Sequence, residues 1–199
     1  MISTITGHTV TALVRNPQVL VVAPVVHLEK GTPANKEDIE RCFSQKAPDT
    51  VFVNLAPAKN TPGGPFLANC VKNIVEVMKE YGTRKIVYMS AYGVDDSFQN
   101  LNWMMRFLVV PSTKLAKEFE QHKGAEQFLK QLGNSSTQWT IVRPVMLKDG
   151  PAKETKTLGD QGQDVQSFLP AITRASVAQF MINVAEDDSW NGKTPVICN

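Results

Sequence analysis

The chain has 199 residues, of which 42% are hydrophobic and 20% are charged, and its formal net charge is +2. This length suits one domain with a sizeable core, and the small net charge excludes a nucleic-acid-binding platform. The longest apolar run, residues 19–26, contains a proline and is too short to span a membrane. The widely spaced Cys42, Cys70 and Cys198 predict neither disulfides nor a zinc site. We therefore expect a cytoplasmic protein with no nucleic-acid or membrane partner.

Apolar segments of strand length alternate with segments of helical period. In chain order, the pattern predicts strands at 9–14 and 25–28, a helix at 36–44, a strand at 50–55, a helix at 67–81 and a strand at 85–90. A long loop follows, and then a helix at 113–132, a strand at 139–143, an irregular stretch at 148–166, a helix at 173–186 and a strand at 195–198. Gly82 is expected to end the second helix. This alternation predicts a single α/β domain over residues 1–199, with a parallel sheet flanked by helices.

Six segments carry a resemblance to a known family. They are 7–17 (GHTVTALVRNP), 51–55 (VFVNL), 87–94 (VYMSAYGV), 122–126 (HKGAE), 139–144 (WTIVRP) and 172–178 (ITRASVA). In this order they resemble the atypical short-chain dehydrogenase/reductases, and the NmrA-like, NAD(P)-binding branch in particular. The resemblance covers nearly the whole chain and implies a Rossmann-like domain.

The chain departs from that family at its start. In the family, a strand and a Gly-x-x-Gly-x-x-Gly turn precede the segment that corresponds to Gly7 and His8, and no glycine-rich turn of that kind occurs elsewhere in this sequence. Such a turn holds the pyrophosphate of a dinucleotide. The sequence therefore predicts an N-terminally shortened domain that lacks the central strand of its sheet. It is either a natural short form whose strands re-pair or a truncated form of a longer reductase.

The resemblance also implies positions for a cofactor. Arg15 would contact the 2′-phosphate of NADP, Ser90 would lie near the reacting part of the cofactor, and Leu55 and Arg143 would complete the site. The alternative for Arg15 is a solvated side chain at a strand end, and for Ser90 a hydroxyl that closes a turn. Arg143 could equally be a buried arginine bonded to carbonyl groups.

The segment around Phe119 concerns proton transfer. Typical short-chain reductases carry Tyr-x-x-x-Lys, but here Phe119 stands in the tyrosine position before Lys123 and cannot donate a proton. The candidate proton-transfer groups are therefore His122, Lys123, Ser90 and Tyr92. As alternatives, His122 fills a seam between helix and sheet, and Lys123 is solvated.

An apolar set in the loops suggests a substrate pocket. Trp103, Met104, Phe107 and Met146 could line a pocket for a hydrophobic small molecule, or they could be ordinary core. The histidines lie on separate elements, and the sequence predicts no metal site.

The preferred hypothesis is a small-molecule tailoring enzyme with a degenerate dinucleotide site. It would catalyse acid–base isomerisation, rearrangement or cyclisation of a hydrophobic secondary metabolite without a cofactor. The alternatives are an NAD(P)H-dependent oxidoreductase, with NADP as its cofactor, and a non-enzymatic NmrA-like regulatory module. A sheet that lacks its central strand also suggests a homodimer formed through an exposed edge.

Overall fold

The chain folds as strands and helices in alternation. The computed structural model describes residues 8–19, 26–57, 64–109, 113–133 and 137–199. The strands are β1 (Val10–Val14), β2 (Val26–Lys30), β3 (Thr50–Val53), β4 (Lys85–Met89), β5 (Gln138–Pro144), β6 (Met146–Lys148), β7 (Lys156–Thr157), β8 (Ala171–Thr173) and β9 (Val196–Cys198). The helices are α1 (Lys36–Ser44), α2 (Phe66–Tyr81), α3 (Trp103–Val109), α4 (Thr113–Gln131) and α5 (Arg174–Glu186). Among the helices of the described ranges, none has the length and apolar character needed to cross a membrane.

The strands form one main sheet and two small ones. The main sheet has the order β3-β4-β5-β9-β7, and its pairs are parallel except for β7 with β9. A parallel pair β1-β2 and a parallel pair β6-β8 make up the other two sheets. This mostly parallel arrangement with flanking helices confirms the predicted Rossmann-like α/β class.

Two described strands, β1 and β3, belong to different sheets, and the sequence predicts a missing strand between them. In a Rossmann domain the first strand lies at the middle of the sheet, between strands that correspond to β1 and β3 here. Within the described residues no strand lies between β1 and β3, and β1 pairs only with β2. The described strands therefore show no new pairing across this position, and β3 is an edge of the main sheet.

The core has two parts, one on each face of the main sheet. On β4, Ile86 and Tyr88 point to the face covered by α2 and α4, whereas Val87 points to the face covered by α5. This alternation follows from the period of two in a strand. The first face is the one that holds the candidate proton-transfer groups of α4.

The ends of two helices follow local sequence rules. The side chain of Asn35 accepts a hydrogen bond of 3.0 Å from the backbone N–H of Glu37 at the start of α1. Gly82 ends α2 with φ of 76°, as predicted. This conformation suits glycine because it has no Cβ.

The prediction of one long loop before α4 is wrong. Residues Asp95–Asn100 form a 3₁₀ turn, and Trp103–Val109 form α3. The Asn102 side chain accepts a hydrogen bond from the N–H of Met105 at 2.9 Å and starts that helix. The short strands β6 and β7 also lie outside the predicted strands, because two or three residues are too few to show a period.

Candidate active site

Ser90 lies directly after β4, at the carboxyl edge of the main sheet. Its backbone N–H donates to the carbonyl of Val142 at 2.8 Å, which fixes it against β5. Its side chain is 5% exposed overall, and its hydroxyl has no hydrogen-bond partner among the described residues. Buried polar groups are rarely left without a partner, and ligands of open α/β sheets bind at this edge. Ser90 is therefore a candidate ligand-binding residue.

Tyr92 has a structural partner. Its hydroxyl donates to the carbonyl of Asn100 at 2.6 Å, and its ring lies against Gly162. Burial raises the pKa of Tyr92, and the charge of Arg106 opposes that rise. The phenol is therefore protonated at neutral pH, and its proton is used to hold the turn after β4.

His122 is hydrogen bonded to a residue that the sequence analysis does not single out. The Tyr88 hydroxyl lies 2.8 Å from Nδ1 of His122, and the two rings meet edge to face at 5.8 Å between centroids. Tyr88 is fully buried, and burial raises its pKa far above the usual value. The signal in the sequence is a tyrosine in a strand that is otherwise buried, because such a hydroxyl needs a partner.

The protonation state of His122 follows from this contact. Burial lowers its pKa from 6.5 to about 4, so the imidazole is neutral at neutral pH. Tyr88 has no other acceptor for its proton among the described residues, so we assign the phenol as donor to Nδ1 and the imidazole proton to Nε2. A group with this pKa is a poor general acid or base near pH 7, which weakens the role predicted for His122.

A cavity of about 250 Å³ lies beside α4. It is lined by Asp95, Phe98, Phe119, Glu120 and Lys123. Among the described residues, the ion pair of the Lys123 ammonium is a distant one with Glu120, at 3.9 Å between Nζ and Oε1. Phe119 faces the same space as Lys123 and places an apolar ring there, in the position that the resemblance gives to a tyrosine.

Arg143 is fully buried and its guanidinium is occupied. Its Nε and Nη2 donate to the two carboxylate oxygens of Glu126 at 3.1 and 2.5 Å, and its Nη1 donates to the carbonyl of Asp160 at 2.9 Å. Asp96 adds a contact at 2.6 Å to Nη2. With 0% of the residue exposed, the guanidinium joins parts of the fold to one another. This arrangement matches the alternative of a buried structural arginine.

Three carboxylates surround that arginine. Oxygens of Asp95, Asp96 and Glu126 lie within 4.8 Å of one another, a spacing that could suit a cation. Two cationic side chains already face them, because Lys130 Nζ lies 2.9 Å from Asp95 and 3.2 Å from Asp96, and Arg143 contacts Asp96 and Glu126. Burial disfavours the charge of Asp95, but Lys130 holds the pKa of that carboxyl below its usual value. The cluster is an ion-pair network.

A comparison with known protein families shows which family the chain belongs to. A family model for NAD(P)H binding matches residues 3–188. The chain belongs to this NAD(P)H-binding family. No curated protein matches the sequence.

Solved structures share the fold of this family member at low sequence identity. ChuY from Escherichia coli O157:H7, described as an anaerobillin reductase, is 16% identical with a TM-score of 0.71, over 96% of this chain and 84% of that chain. A short-chain dehydrogenase/reductase from Veillonella parvula in complex with NADP is 13% identical with a TM-score of 0.69, over 89% and 74%. A Rossmann-fold NAD(P)-binding protein from Shigella flexneri is 15% identical with a TM-score of 0.63, over 94% and 78%.

Membership of the NAD(P)H-binding family corrects one expectation. The sequence favours the hypothesis of a protein that needs no cofactor, and the family match does not support that hypothesis. NAD(P) is the cofactor that the family implies.

The described residues suit the 2′-phosphate end and the nicotinamide end of such a dinucleotide better than its pyrophosphate. Arg15 follows β1 with an exposed side chain that could meet a phosphate, and Ser90 and Lys123 offer polar groups near the end of β4. The start of α2 is already occupied, because the N–H of Leu67 donates to the Gln121 side chain at 3.1 Å. Among the described residues we find no glycine-rich turn for the pyrophosphate.

The remaining predicted site residues lie apart from the cavity. Leu55 is partly buried against the core on the α2 face. Trp103, Phe107 and Met146 are exposed and Met104 is half-buried, so these four do not line the cavity described above. Trp103 and Phe107 form part of an outward-facing aromatic surface.

Proposed function

We propose that this family member is an NAD(P)H-dependent reductase that acts on a small apolar molecule. The observation that carries the proposal is the hydroxyl of Ser90, which is buried at the carboxyl edge of the sheet without a partner among the described residues. Family membership supports the reductase over the cofactor-independent isomerase. The dinucleotide, when bound, supplies a hydride.

The chain's own residues would take the following roles. The Ser90 hydroxyl hydrogen bonds the reacting end of the cofactor or the substrate. Lys123 supplies positive charge and the proton, since it is the cationic group in the cavity and Phe119 has no proton to give. The neutral imidazole of His122 braces α4 against Tyr88.

Calorimetric titration of the full chain tests cofactor binding. We expect NADPH to bind with a dissociation constant of roughly 10⁻⁵ to 10⁻⁴ M, weak because the pyrophosphate lacks its usual turn. Reduced nicotinamide mononucleotide, which lacks the adenosine 2′-phosphate, should bind more weakly, and Arg15→Gln should remove any preference for NADPH over NADH. Absence of binding at millimolar NADPH would exclude the reductase.

The Ser90 hydroxyl is tested by removing it. Ser90→Ala should weaken NADPH binding by up to about tenfold, the range of one lost hydrogen bond. Ser44→Ala is the control, because the Ser44 hydroxyl bonds the carbonyl of Arg41 at the end of α1. If both variants bind as the wild type does, Ser90 has no role in the site.

Turnover tests the assignment of Lys123. With phenanthrenequinone as an apolar carbonyl probe, we expect NADPH oxidation to fall by roughly a hundredfold or more in Lys123→Met. Lys117→Met removes an exposed lysine from the same helix and should keep the wild-type rate. Equal rates in the two variants would contradict the proton-donor role.

A further inference from the structure

Four aromatic side chains form an exposed surface beside the cavity. We name Phe98, Trp103, Phe107 and Phe168 the aromatic surface. Trp103 is 72% exposed and Phe107 is 70% exposed, and their spacing of four residues puts them on the same side of α3. Large exposed apolar groups gathered in one place mark an interaction site more often than scattered ones do.

The aromatic surface is held together by specific contacts. The rings of Trp103 and Phe168 meet edge to face, with 5.8 Å between centroids. The Asn102 side chain donates to the carbonyl of Phe168 at 2.9 Å and accepts from the N–H of Met105 at 2.9 Å. One asparagine thus starts α3 and fixes the segment before β8 against it, so the surface exists before any ligand binds.

A cation lies within this surface, and no described carboxylate pairs with it. The guanidinium of Arg106 lies over the Phe98 ring, 5.6 Å from its centroid, and donates to the carbonyl of Gln99 at 2.5 Å. Among the described residues no carboxylate forms an ion pair with Arg106. A guanidinium stacked on an aromatic ring can still bind a carboxylate through two parallel hydrogen bonds.

The aromatic surface is continuous with the cavity. Phe98 lines the cavity together with Phe119 and Lys123, and it also carries Arg106. The surface is built from segments that follow β4 and precede β8, near the carboxyl edge where ligands of open α/β sheets bind. This continuity favours a small molecule, because one ligand can contact the aromatic surface and the cavity lining at the same time.

We propose that the aromatic surface binds an apolar aromatic molecule that carries a carboxylate, and that Arg106 recognises the carboxylate. Trp103 and Phe107 cover the aromatic part of the ligand, and the ligand extends past Phe98 toward Lys123. The inference rests on the proposed function, since it names the substrate class of the same site. Binding of the ligand is nevertheless measured separately from binding of NADPH.

A matched pair of probes tests the proposal. Pyrenebutyrate and pyrenebutanol share the aromatic part and differ in the carboxylate, and binding of each to the full chain is followed by fluorescence anisotropy. We expect pyrenebutyrate to bind about tenfold more tightly, and Arg106→Gln to remove this difference while pyrenebutanol binding is kept. Trp103→Ala should weaken binding of both probes.

Two controls separate charge from folding. Arg174→Gln removes an exposed arginine that pairs with Asp149 on another part of the molecule, and it should bind both probes as the wild type does. Arg106→Lys keeps the charge without the planar fork and should retain part of the preference for the carboxylate. Circular dichroism of each variant confirms that it is folded.

Several results would overturn the proposal. Equal affinity of the wild type for both probes, or a preference that Arg106→Gln leaves intact, would remove the carboxylate site. Sedimentation with phosphatidylserine vesicles that Trp103→Ala abolishes would assign the surface to lipid, and a dimer that Phe107→Asp dissociates would assign it to a second copy. Failure of NADPH to bind, with the probe preference intact, would overturn the reductase and leave the anion site standing.

Discussion

The hydroxyl of Tyr88 and Nδ1 of His122 lie 2.8 Å apart and join β4 to α4. Tyr88 is fully buried, so its phenol hydrogen bonds His122 in place of water. The contact fixes the orientation of the imidazole on the helix that also carries Phe119 and Lys123. It therefore connects the core of the sheet with the wall of the cavity.

Removing the phenol should destabilise the fold modestly. Tyr88→Phe leaves Nδ1 of His122 without its donor, and we expect the free energy of unfolding to fall by about 1 to 2 kcal/mol in urea denaturation. Tyr81→Phe is the control, because Tyr81 is 40% exposed, and this change should alter stability by less than about 0.5 kcal/mol. A Tyr88→Phe variant as stable as the wild type would show that the hydrogen bond contributes nothing.

The low pKa of His122 predicts a loss of stability in mild acid. The folded state holds this pKa near 4, whereas the unfolded chain has the usual 6.5, so the unfolded state binds the extra proton first as the pH falls. The neutral imidazole contributes fully to the free energy of unfolding above pH 6.5. This contribution, at most about 3 kcal/mol, is lost as the pH falls from 6.5 to 4.

The measurement compares the wild type with His122→Gln. We expect the difference in unfolding free energy between them to shrink as the pH is lowered from 7.5 to 5, because the variant has no such titration. Gln179→Ala, at an exposed position on α5 that carries no titrating group, should run parallel to the wild type over this range. Parallel profiles for His122→Gln would contradict the assignment.

The buried pair of Arg143 and Glu126 should be strongly coupled. Glu126→Leu leaves the guanidinium without its two-oxygen partner in the core and should cost about 3 to 5 kcal/mol in denaturant unfolding. Asp149→Ala breaks the exposed pair with Arg174 and should cost at most about 1 kcal/mol. The double variant Glu126→Leu/Arg143→Met should recover part of the loss, whereas strictly additive effects would show that the two residues do not interact.

Two glycines have similar positive φ angles, and comparing them separates the cost of backbone strain from the cost of a steric clash. Gly162 has φ of +75° and Gly133 has φ of +63°, so alanine is strained at both, by about 1 kcal/mol. A Cβ at Gly162 would also meet the Tyr92 ring, whereas no described residue lies within 4 Å of one at Gly133. We expect Gly162→Ala to cost roughly 1 to 3 kcal/mol more than Gly133→Ala in thermal or urea unfolding. Equal costs would mean that the Tyr92 ring moves away freely.

The sequence by itself determined the α/β class and the order of the long elements. Period and turn residues act within a few positions, so the helix that ends at Gly82 and the strand that leads to Ser90 can be predicted locally. The short helix α3 is not predicted, because seven residues, six of them apolar, are too few to show a helical period.

Only the tertiary structure decided which candidate groups are available for chemistry. Arg143 pairs with Glu126, 17 positions away, and His122 pairs with Tyr88, 34 positions away, and no local pattern encodes such contacts. The sequence also does not show whether Trp103 is exposed or buried, since an apolar residue near the start of a helix can be either. Burial and pairing are properties of the packed chain, and they leave the Ser90 hydroxyl without a partner among the described residues and Lys123 on the wall of the cavity.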